Sequence, residues 1–581
     1  MRTQLRESQG SENWLSQFLI AAGRFWSVAK LYWFGPERWR ALGLLTVAIL
    51  MLGVSTALGV FLNGKRGEIV TALAERNESS FGQAVLFYLL TLIFFVPLFA
   101  SLNYLFQLLG LFWRRWLTDF FLGGYFRDRS YYKLASEENI DNPDQRISQD
   151  VRSFTQLSLF YFLIFASALF DIVGYGTQLW SISPWLVGFL AIYSAIGIFV
   201  VTGIFGKVLV RLNFEQLKRE ANFRFGLVRL RENAEPIAFY RGEQQEKDHL
   251  DDRFTDIFNN FRRLILWREL GLGSFTNAYR NITFVLPYLI LAPRVLNEGL
   301  ELGQVDAARG AFLQVFLSLN LIVDRFEGLT EFGAGIDRVC SFERVLRRRS
   351  SEEDDTQQPH IDILPSQEIA LTNVTLQTPN YQRTLVRNLD LTVPGHGLLI
   401  VGASGCGKSS LLRAIAGLWD SGSGKVQRPD LNEILFLPQR PYMVLGTLRD
   451  QLLYPSKQLD LSDDDLQQVL EQVNLPDTAA RSGGLDAQHN WSEELSLGEQ
   501  QRLAFARILT NKPRYVILDE STSALDTDNE EHLYSLLQES GVTYVSVGHR
   551  PTLRKFHQLV LELSGDQQWH LQPAGTSEPS A

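Results

Sequence analysis

Six long apolar stretches dominate the first 340 residues of the chain. Each reaches about 20 residues, the length that an α-helix needs to cross the hydrocarbon core of a bilayer. One such stretch is compatible with a buried helix of a soluble protein, but six of them with charged connections are typical of an all-α membrane domain. The predicted spans are 41–63, 84–111, 157–180, 184–209, 274–296 and 309–332.

The segments between the spans predict an orientation in the membrane. Segments 112–155 and 207–273 are long and rich in arginine and lysine, whereas 181–183 is a bare turn. Because loops with an excess of basic residues stay in the cytoplasm, we expect the long loops and both termini there. The loop 64–80 carries balanced charges, and only the alternation of the spans places it outside.

Residues 1–40 predict an interfacial element that precedes a membrane domain at 41–346. Between residues 13 and 34, tryptophan and phenylalanine stand beside Arg24 and Lys30, a mixture typical of a helix lying in the headgroup plane. A soluble packing helix is the alternative interpretation. The segment lacks the apolar core of a secretory signal, and no targeting extension precedes the first helices. We therefore expect a bacterial inner membrane.

Beyond residue 346 the hydrophobic pattern changes to short runs. Segment 347–366 opens with blocks of alternating charge and little apolar surface, which predicts a linker. Residues 367–566 alternate β-rich runs with helical stretches, which is typical of an α/β nucleotide-binding domain. The polar segment 567–581 is predicted to be disordered. The β-rich runs are 369–376, 397–402, 433–437, 514–519 and 543–547.

Length and composition exclude several classes of protein. A chain of 581 residues is too long for one hydrophobic core, so two or more domains are expected. The formal charge of −9 disfavours nucleic acid and leaves membrane lipid and nucleotide as partners. The cysteines are Cys340 and Cys406 alone, so no disulfide scaffold is indicated.

A phosphate-binding loop follows the apolar strand-like run 398–401. The sequence Gly-Ala-Ser-Gly-Cys-Gly-Lys-Ser is followed at once by a helix-forming stretch, which is the order of strand, loop and helix that this P-loop motif requires. Backbone N–H groups bind the phosphates, the lysine neutralises their charge, and the last serine binds Mg²⁺. ATP and Mg²⁺ are therefore the predicted cofactors. The predicted ATP-binding residues here are Gly402, Ser404, Gly405, Cys406, Gly407, Lys408, Ser409 and Ser410.

Two acidic residues end the apolar run 515–518. Asp519 is placed to hold Mg²⁺ with Ser409, and Glu520 is placed to polarise the attacking water as a general base. Paired acids at the end of a strand are usually only solvated. The phosphate loop supplies the matching half of a site, and this favours the catalytic interpretation.

The segment 495–502, Leu-Ser-Leu-Gly-Glu-Gln-Gln-Arg, resembles the signature of ATP-binding cassette proteins. It differs from the usual sequence of that motif at two positions, Leu497 and Glu499. In that family the signature of one subunit caps the γ-phosphate held by the phosphate loop of the other subunit. The resemblance therefore implies that hydrolysis needs two cassettes. The implied signature residues are Ser496, Leu497, Gly498, Glu499 and Gln500.

The same resemblance implies roles for residues elsewhere in the cassette. Gln439 falls in the Q-loop, as a catalytic and Mg²⁺-binding residue, and His549 falls at the position of the switch histidine. Ser523 and Asp526 belong to the D-loop. Tyr381, upstream of the phosphate loop, is the candidate for stacking on the adenine ring.

Short sequence segments of the membrane half narrow the resemblance to one branch of the family. The matching segments look like those of the peroxisomal subfamily D half-transporters and their bacterial BacA/SbmA-type relatives, over about residues 20–565. The resemblance implies an exporter-like fold and two intertwined half-transporters, and the complete set of motifs on one chain favours a homodimer. The membrane segments that carry it are 113–118, 141–150 and 235–243.

Polar residues inside the spans are candidates for the wall of a translocation path: Asp171, Asn320, Asp324 and Glu327. Hydrogen bonding between helices, or emergence of the sixth helix from lipid, explains them equally well. A wet path favours a hydrophilic cargo such as a peptide or a cobalamin-like molecule. The alternatives are a fatty acyl-CoA or lipid transporter and a regulatory cassette that does not pump, and the intact catalytic residues disfavour the latter.

Overall fold

The chain divides into two compact units, Met1–Asp354 and Asp355–Ala581. The computed structural model describes residues 14–134, 143–321, 325–350, 359–395, 397–456 and 461–575. The division falls inside the predicted linker 347–366, but both ends of that segment belong to regular elements. A helix continues to Ser350, and a strand begins at Asp362. The linker is therefore shorter than the charge pattern predicts.

The first unit is helical through the residues that the structure describes. Within the described part of this unit, four stretches are long and apolar enough to cross a membrane, and they coincide with the first four predicted spans: Arg38–Ala74, Glu78–Phe126, Pro143–Ile182 and Pro184–Gly206. Short 3₁₀ or π-helical segments lie at Arg127–Arg129, Arg146–Asp150, Val201–Gly206 and Leu266–Gly273. The other α-helices are Trp14–Trp33, Ser130–Leu134, Lys207–Glu232, Ala234–Tyr240, Glu243–Ile265, Ser274–Glu298, Leu302–Leu319 and Phe326–Ser350.

The described helices at the last two predicted spans are not among these four stretches. Helix Ser274–Glu298 covers the fifth span, but within it stand two prolines and several charged and amide residues. The sixth predicted span, 309–332, is not one helix. Helix Leu302–Leu319 ends at Asn320, whose Nδ2 donates to the carbonyl oxygen of Phe316 (2.9 Å) and so caps the last turn.

Two helices of the first unit approach each other unusually closely. A Cβ atom built on Gly303 would lie 2.0 Å from the carbonyl oxygen of Gly67, so only glycine allows this distance between helices Leu302–Leu319 and Arg38–Ala74. Beside this contact, the guanidinium of Arg66 pairs with the carboxylate of Asp306 at 2.9 Å. Small residues and polar pairs of this kind hold helices together where the hydrophobic effect does not.

The first helix, Trp14–Trp33, packs on the rest of the unit with one face. Tyr32 is buried and stacks on the indole ring of Trp113, with 5.7 Å between the ring centroids. Arg24 forms an ion pair with Asp337 at 2.7 Å. Trp26 stays exposed, so the helix keeps an aromatic face that suits the headgroup region predicted for it.

The second unit is an α/β domain. Its strands are β1 Asp362–Pro365, β2 Ala370–Gln377, β3 Thr384–Thr392, β4 Leu398–Gly402, β5 Gly422–Arg428, β6 Ile434–Leu437, β7 Gly446–Thr447, β8 Gln488–His489, β9 Tyr515–Asp519, β10 Thr543–Val547, β11 Leu559–Leu563 and β12 Trp569–Pro573. Its helices are Lys408–Ala416, Leu448–Leu453, Asp463–Gln472, Thr478–Arg481, Trp491–Glu494, Leu497–Asn511 and Thr527–Glu539, with 3₁₀ turns Leu431–Glu433 and Pro551–Phe556. Each of the five predicted β-rich runs forms a strand, namely β2, β4, β6, β9 and β10.

The six-stranded sheet of this unit positions the site. Its strand order is β12-β11-β4-β10-β9-β6, and every neighbouring pair is parallel except β11 and β12. Leu399 and Leu518 are buried on one face, and Ile400 and Ile517 on the other. A parallel sheet covered on both faces leaves its carboxyl ends as the place where polar loops collect. Strands β1, β5, β2 and β3 form a separate sheet, and β7 pairs with β8.

The prediction of disorder for 567–581 is wrong for Trp569–Pro573. These residues form β12, which pairs antiparallel with β11 and extends the edge of the sheet. Leu571 lies opposite the buried Leu561, while its own side chain stays exposed. The polar composition of these residues does not predict a strand. An edge strand forms through its backbone hydrogen bonds and needs few buried side chains.

Candidate active site

The phosphate loop connects β4 to helix Lys408–Ala416, as the sequence predicts. Gly402 stands at φ +149°, and a Cβ there would lie 2.4 Å from the carbonyl oxygen of Leu563, so a side chain has no room. The ammonium group of Lys408 donates to the carbonyl oxygens of Gly402 (2.8 Å) and Ala403 (3.2 Å) and is nearly buried. The loop therefore holds a positive charge at the N-terminus of a helix, which is an arrangement that binds anions.

Ser409 and Asp519 form a pair of oxygen donors beside this loop. The hydroxyl of Ser409 donates to Oδ1 of Asp519 at 3.1 Å. Burial raises the pKa of the Asp519 carboxyl, the hydrogen bond from Ser409 opposes this effect, and the neighbouring Glu520 adds to it. A hydroxyl and one carboxylate fit Mg²⁺, which takes few protein oxygens and completes its shell with phosphates and water.

Three predicted catalytic residues meet at the carboxyl ends of neighbouring strands. Glu520 directly follows β9, Gln439 lies two residues after β6, and His549 lies two residues after β10. Nε2 of Gln439 donates to Oε2 of Glu520 (3.0 Å), and Nε2 of His549 lies 3.2 Å from Oε1. One carboxylate is thus aimed by an amide on one side and an imidazole on the other.

The predicted signature residues begin helix Leu497–Asn511. Ser496 is the N-cap: its hydroxyl accepts from the backbone N–H of Glu499 and donates to that residue's carboxylate (2.8 Å). Arg481 also pairs with Glu499, at 2.8 Å. Burial opposes ionisation of Glu499, but the bonds from Arg481 and Ser496 outweigh it and lower the pKa of the carboxyl. Gly498 lies close to the carbonyl oxygen of Ala524, where a Cβ would be 3.3 Å away.

The predicted D-loop residues frame the turn that follows Glu520. The backbone N–H of Ser523 donates to the carbonyl oxygen of Glu520 at 3.1 Å. Asp526 is the N-cap of helix Thr527–Glu539 and accepts from the backbone N–H of Asn529 at 2.8 Å. This hydrogen bond lowers the pKa of the Asp526 carboxyl.

Two predicted parts of the site are not joined to the phosphate loop within one cassette. Among the described residues, no hydrogen bond links Ser496–Gln500 to Gly402–Ser410. The hydroxyl of Tyr381 donates to the carbonyl oxygen of Pro359 (3.2 Å), and no hydrogen bond in the described cassette joins it to the loop.

The candidate path residues that the structure describes are engaged with neighbouring helices. The buried carboxylate of Asp171 accepts from Thr56 (3.1 Å) and from Gln314 (3.0 Å). The buried amide of Asn320 donates to the hydroxyl of Ser194 (3.2 Å) and accepts from Tyr279 (3.3 Å). Asp324 lies outside the described residues, as does the side chain of Glu327.

Sequence reasoning missed three side chains that bond to the turn after Glu520. Gln501 and Glu530 are almost completely buried, and Arg550 contacts the latter at 3.3 Å. Gln501 stands inside the signature segment, so its position beside the motif was a usable signal. Glu530 follows the D-loop on an amphipathic helix, and nothing in the local pattern separates it from the solvated Glu531 beside it.

Comparison with known proteins agrees with this arrangement of motifs. Residues 30–296 match the family of ABC transporter transmembrane region 2, and residues 386–523 match the ABC transporter family. The chain belongs to the ABC transporters. It is similar over most of its length to an uncharacterized ABC transporter ATP-binding protein of Synechocystis, at 46% identity over 92% of this chain and 82% of the relative.

Relatives in eukaryotes place this ABC transporter with subfamily D. ABC transporter D family member 2, chloroplastic, of Arabidopsis thaliana is 38% identical over 93% of this chain and 86% of the relative. The human lysosomal cobalamin transporter ABCD4 is 35% identical over 80% of this chain and 82% of the relative. The transporter is a half-transporter of the subfamily D type, in which one helical membrane domain is fused to one ATP-hydrolysing cassette.

Proposed function

We propose that two copies of this ABC transporter assemble and use Mg²⁺-dependent ATP hydrolysis to move a hydrophilic solute across a membrane. The observation that carries the chemistry is the meeting of Gln439 and His549 on the two oxygens of one carboxylate, that of Glu520. Three strands of one sheet deliver these groups to the edge that also carries the phosphate loop. Such convergence of functional groups is typical of an active site and unusual for solvated loops.

Some residues of the proposed site bind ATP and Mg²⁺, and others take part in proton transfer. Lys408 and the backbone N–H groups of its loop bind the phosphates. Ser409, Asp519 and Gln439 would hold Mg²⁺, which would supply charge neutralisation at the phosphates. Glu520 accepts a proton from the attacking water, and His549 holds that carboxylate in position.

A second copy of the chain completes the site in this proposal. The phosphate loop and the signature lie on one chain, yet the described residues join them by no hydrogen bond within one cassette. Leu497 stands exposed at the start of the signature helix, as expected for a residue that meets a partner. A homodimer follows, because two copies supply both halves of both sites.

We place six spans in the membrane, with Ser274–Glu298 and the region from Leu302 as the fifth and sixth. We propose that the cassette and both termini face the cytoplasm, because loops rich in basic residues stay in the cytoplasm and the alternation of six spans gives the two long basic loops, the termini and the cassette the same side. An Escherichia coli relative named as an inner membrane ABC transporter ATP-binding protein, 30% identical over 92% of this chain, supports a bacterial inner membrane.

The proposed cargo is a peptide or a cobalamin-like molecule. Support comes from the human relative named as a lysosomal cobalamin transporter. Asp171 and Asn320 are satisfied by neighbouring helices, so they reach a cargo only in a state where these helices have moved apart. Asp324 and Glu327 complete the proposed wall of the path.

The decisive experiment measures ATP hydrolysis by the purified chain in proteoliposomes. Peptides, cobalamin and acyl-CoAs are added in turn to the wild type and to Glu520→Gln. Stimulation by peptide or cobalamin that disappears in the variant supports the proposal. Stimulation by acyl-CoA alone would show that the cargo is an acyl-CoA and not a hydrophilic solute. Full turnover in Glu520→Gln would show that Glu520 is not the base.

A further inference from the structure

The backbone of the proposed general base is held in an unfavourable conformation. Glu520 has φ +48°, in the left-handed region that residues other than glycine rarely occupy. Such a conformation persists only where the surrounding structure fixes it. Two backbone hydrogen bonds fix the conformation of Glu520 directly. Its N–H donates to the carbonyl oxygen of Val547 (3.1 Å), and its own carbonyl oxygen accepts from the N–H of Ser523 (3.1 Å). Whatever fixes the turn 521–526 therefore also fixes the base.

Gln501 holds this turn from the side of the signature helix. Its side chain is completely buried, at 0% exposure. Nε2 donates to the carbonyl oxygen of Gln439 (2.9 Å) and to the hydroxyl of Ser523 (3.3 Å), while Oε1 accepts from the backbone N–H of Ala524 (3.0 Å). The amide of Gln501 thus joins the turn 521–526 to Gln439, the residue whose side chain bonds to the carboxylate of Glu520.

Glu530 holds the same turn from the opposite direction. The residue is 1% exposed, so its carboxylate depends on its partners for stability. Thr522 donates to Oε1 at 2.6 Å, and Arg550 donates to Oε2 at 3.3 Å. Arg550 also donates to the carbonyl oxygen of Leu525 (2.8 Å) and directly follows His549 in the chain.

We infer that Gln501 and Glu530 are positioning residues for hydrolysis, which fix the turn after Glu520 from two sides and so aim its carboxylate at Gln439 and His549. The inference rests on the proposed role of Glu520 as the base. Neither residue contacts the phosphate loop through any hydrogen bond of the described cassette. Their removal should therefore slow the chemical step and leave ATP binding intact.

The first test is Glu530→Gln in the full-length transporter, with Glu531→Gln as the matched control. The substitution keeps the shape of the side chain and removes the charge that Arg550 faces. Glu531 is the next residue of the same helix, but it forms a surface pair with Lys555 at 2.7 Å. We expect Glu530→Gln to lower kcat by about 10- to 100-fold, the effect of a misplaced catalytic group, with KM for ATP unchanged. Glu531→Gln should match the wild type.

A second pair of variants keeps the test decisive if Glu530→Gln does not fold. Thr522→Val removes only the hydroxyl that joins the turn to Glu530, and Thr522→Ser restores it. Loss of kcat in the valine variant together with activity in the serine variant supports the inference. Equal activity of both variants overturns it.

A double variant separates positioning from general stability. If Glu530 acts through Glu520, then Glu530→Gln should not reduce the residual hydrolysis of Glu520→Gln any further. An equal fold-loss in both backgrounds, or a wild-type kcat in Glu530→Gln, overturns the inference. Failure of the underlying proposal looks different, because then the wild type does not hydrolyse ATP or Glu520→Gln keeps its turnover.

Discussion

Acidification is predicted to destabilise the cassette through His557, a histidine of its core. The residue is 7% exposed, and its ring lies 5.1 Å from that of Tyr544 and 5.7 Å from that of Tyr534. Nδ1 faces the carbonyl oxygen of Leu553 at 2.7 Å, while Nε2 has no partner among the described residues. Burial lowers the pKa of His557 to about 4 from 6.5, and the bond to Leu553 offsets only part of this effect.

The direction of the effect follows from proton binding by the two states. The folded cassette keeps His557 neutral down to about pH 4, whereas the unfolded chain protonates it near pH 6.5. The unfolded state therefore binds more protons between these values, and stability falls as the pH drops through this window. The full loss is about 3 kcal/mol, of which about 2 kcal/mol falls between pH 8 and pH 5.

The assay is urea unfolding of the cassette unit at pH 8 and pH 5, with the wild type and His557→Asn. Asparagine retains a donor near the position of Nδ1, so it keeps the bond to Leu553 but does not titrate. The wild type should lose about 2 kcal/mol more than the variant on acidification. Surface carboxylates titrate in both proteins and cancel in this comparison. Equal losses in the two proteins would refute the assignment to His557.

Two further predictions concern the membrane helices and the metal. Gly303→Ala should lower the thermal stability of the purified chain by about 1–3 kcal/mol, because its Cβ would collide with Gly67; Gly176→Ala is the control, since a Cβ there meets nothing within 4 Å. Ser409→Ala should raise the Mg²⁺ concentration for half-maximal ATPase activity about tenfold or more, since a bond to a charged group contributes about 1.5–3 kcal/mol; an unchanged Mg²⁺ titration would contradict the role of its hydroxyl.

The residues of the candidate site could be found from local motifs, from the family resemblance and from one general rule of parallel sheets. The phosphate loop, Asp519 and Glu520 each follow an apolar strand in the sequence, and the carboxyl ends of parallel strands meet at one edge. Gln439 and His549 follow two further strands of the same sheet, so they reach the same edge. The roles of Gln439 and His549 came from the resemblance to ATP-binding cassette proteins, and the order of the strands explains why both residues lie at this edge.

The features that escaped prediction depend on contacts between distant residues. Helix Leu302–Leu319 ends inside the predicted sixth span, where Asn320 caps it and bonds to two other helices. Strand β12 forms because β11 offers an edge, whatever side chains the added strand carries. Glu530 becomes a core residue only once Thr522 and Arg550 surround it. No pattern of hydrophobic positions records such partners.

Buried polar side chains have the same physical consequence in both units of this transporter. Asp171 and Asn320 in the membrane unit, like Gln501 and Glu530 in the cassette, lie where an unpaired polar group would cost free energy. A conformation in which such a side chain has all its hydrogen-bond partners is therefore more stable than one in which it has only some of them. A helix or turn held in this way moves by exchanging one complete set for another, which gives discrete states and not gradual deformation. Coupling of hydrolysis to transport requires discrete states, and buried polar side chains with complete sets of partners are a physical basis on which such states can form.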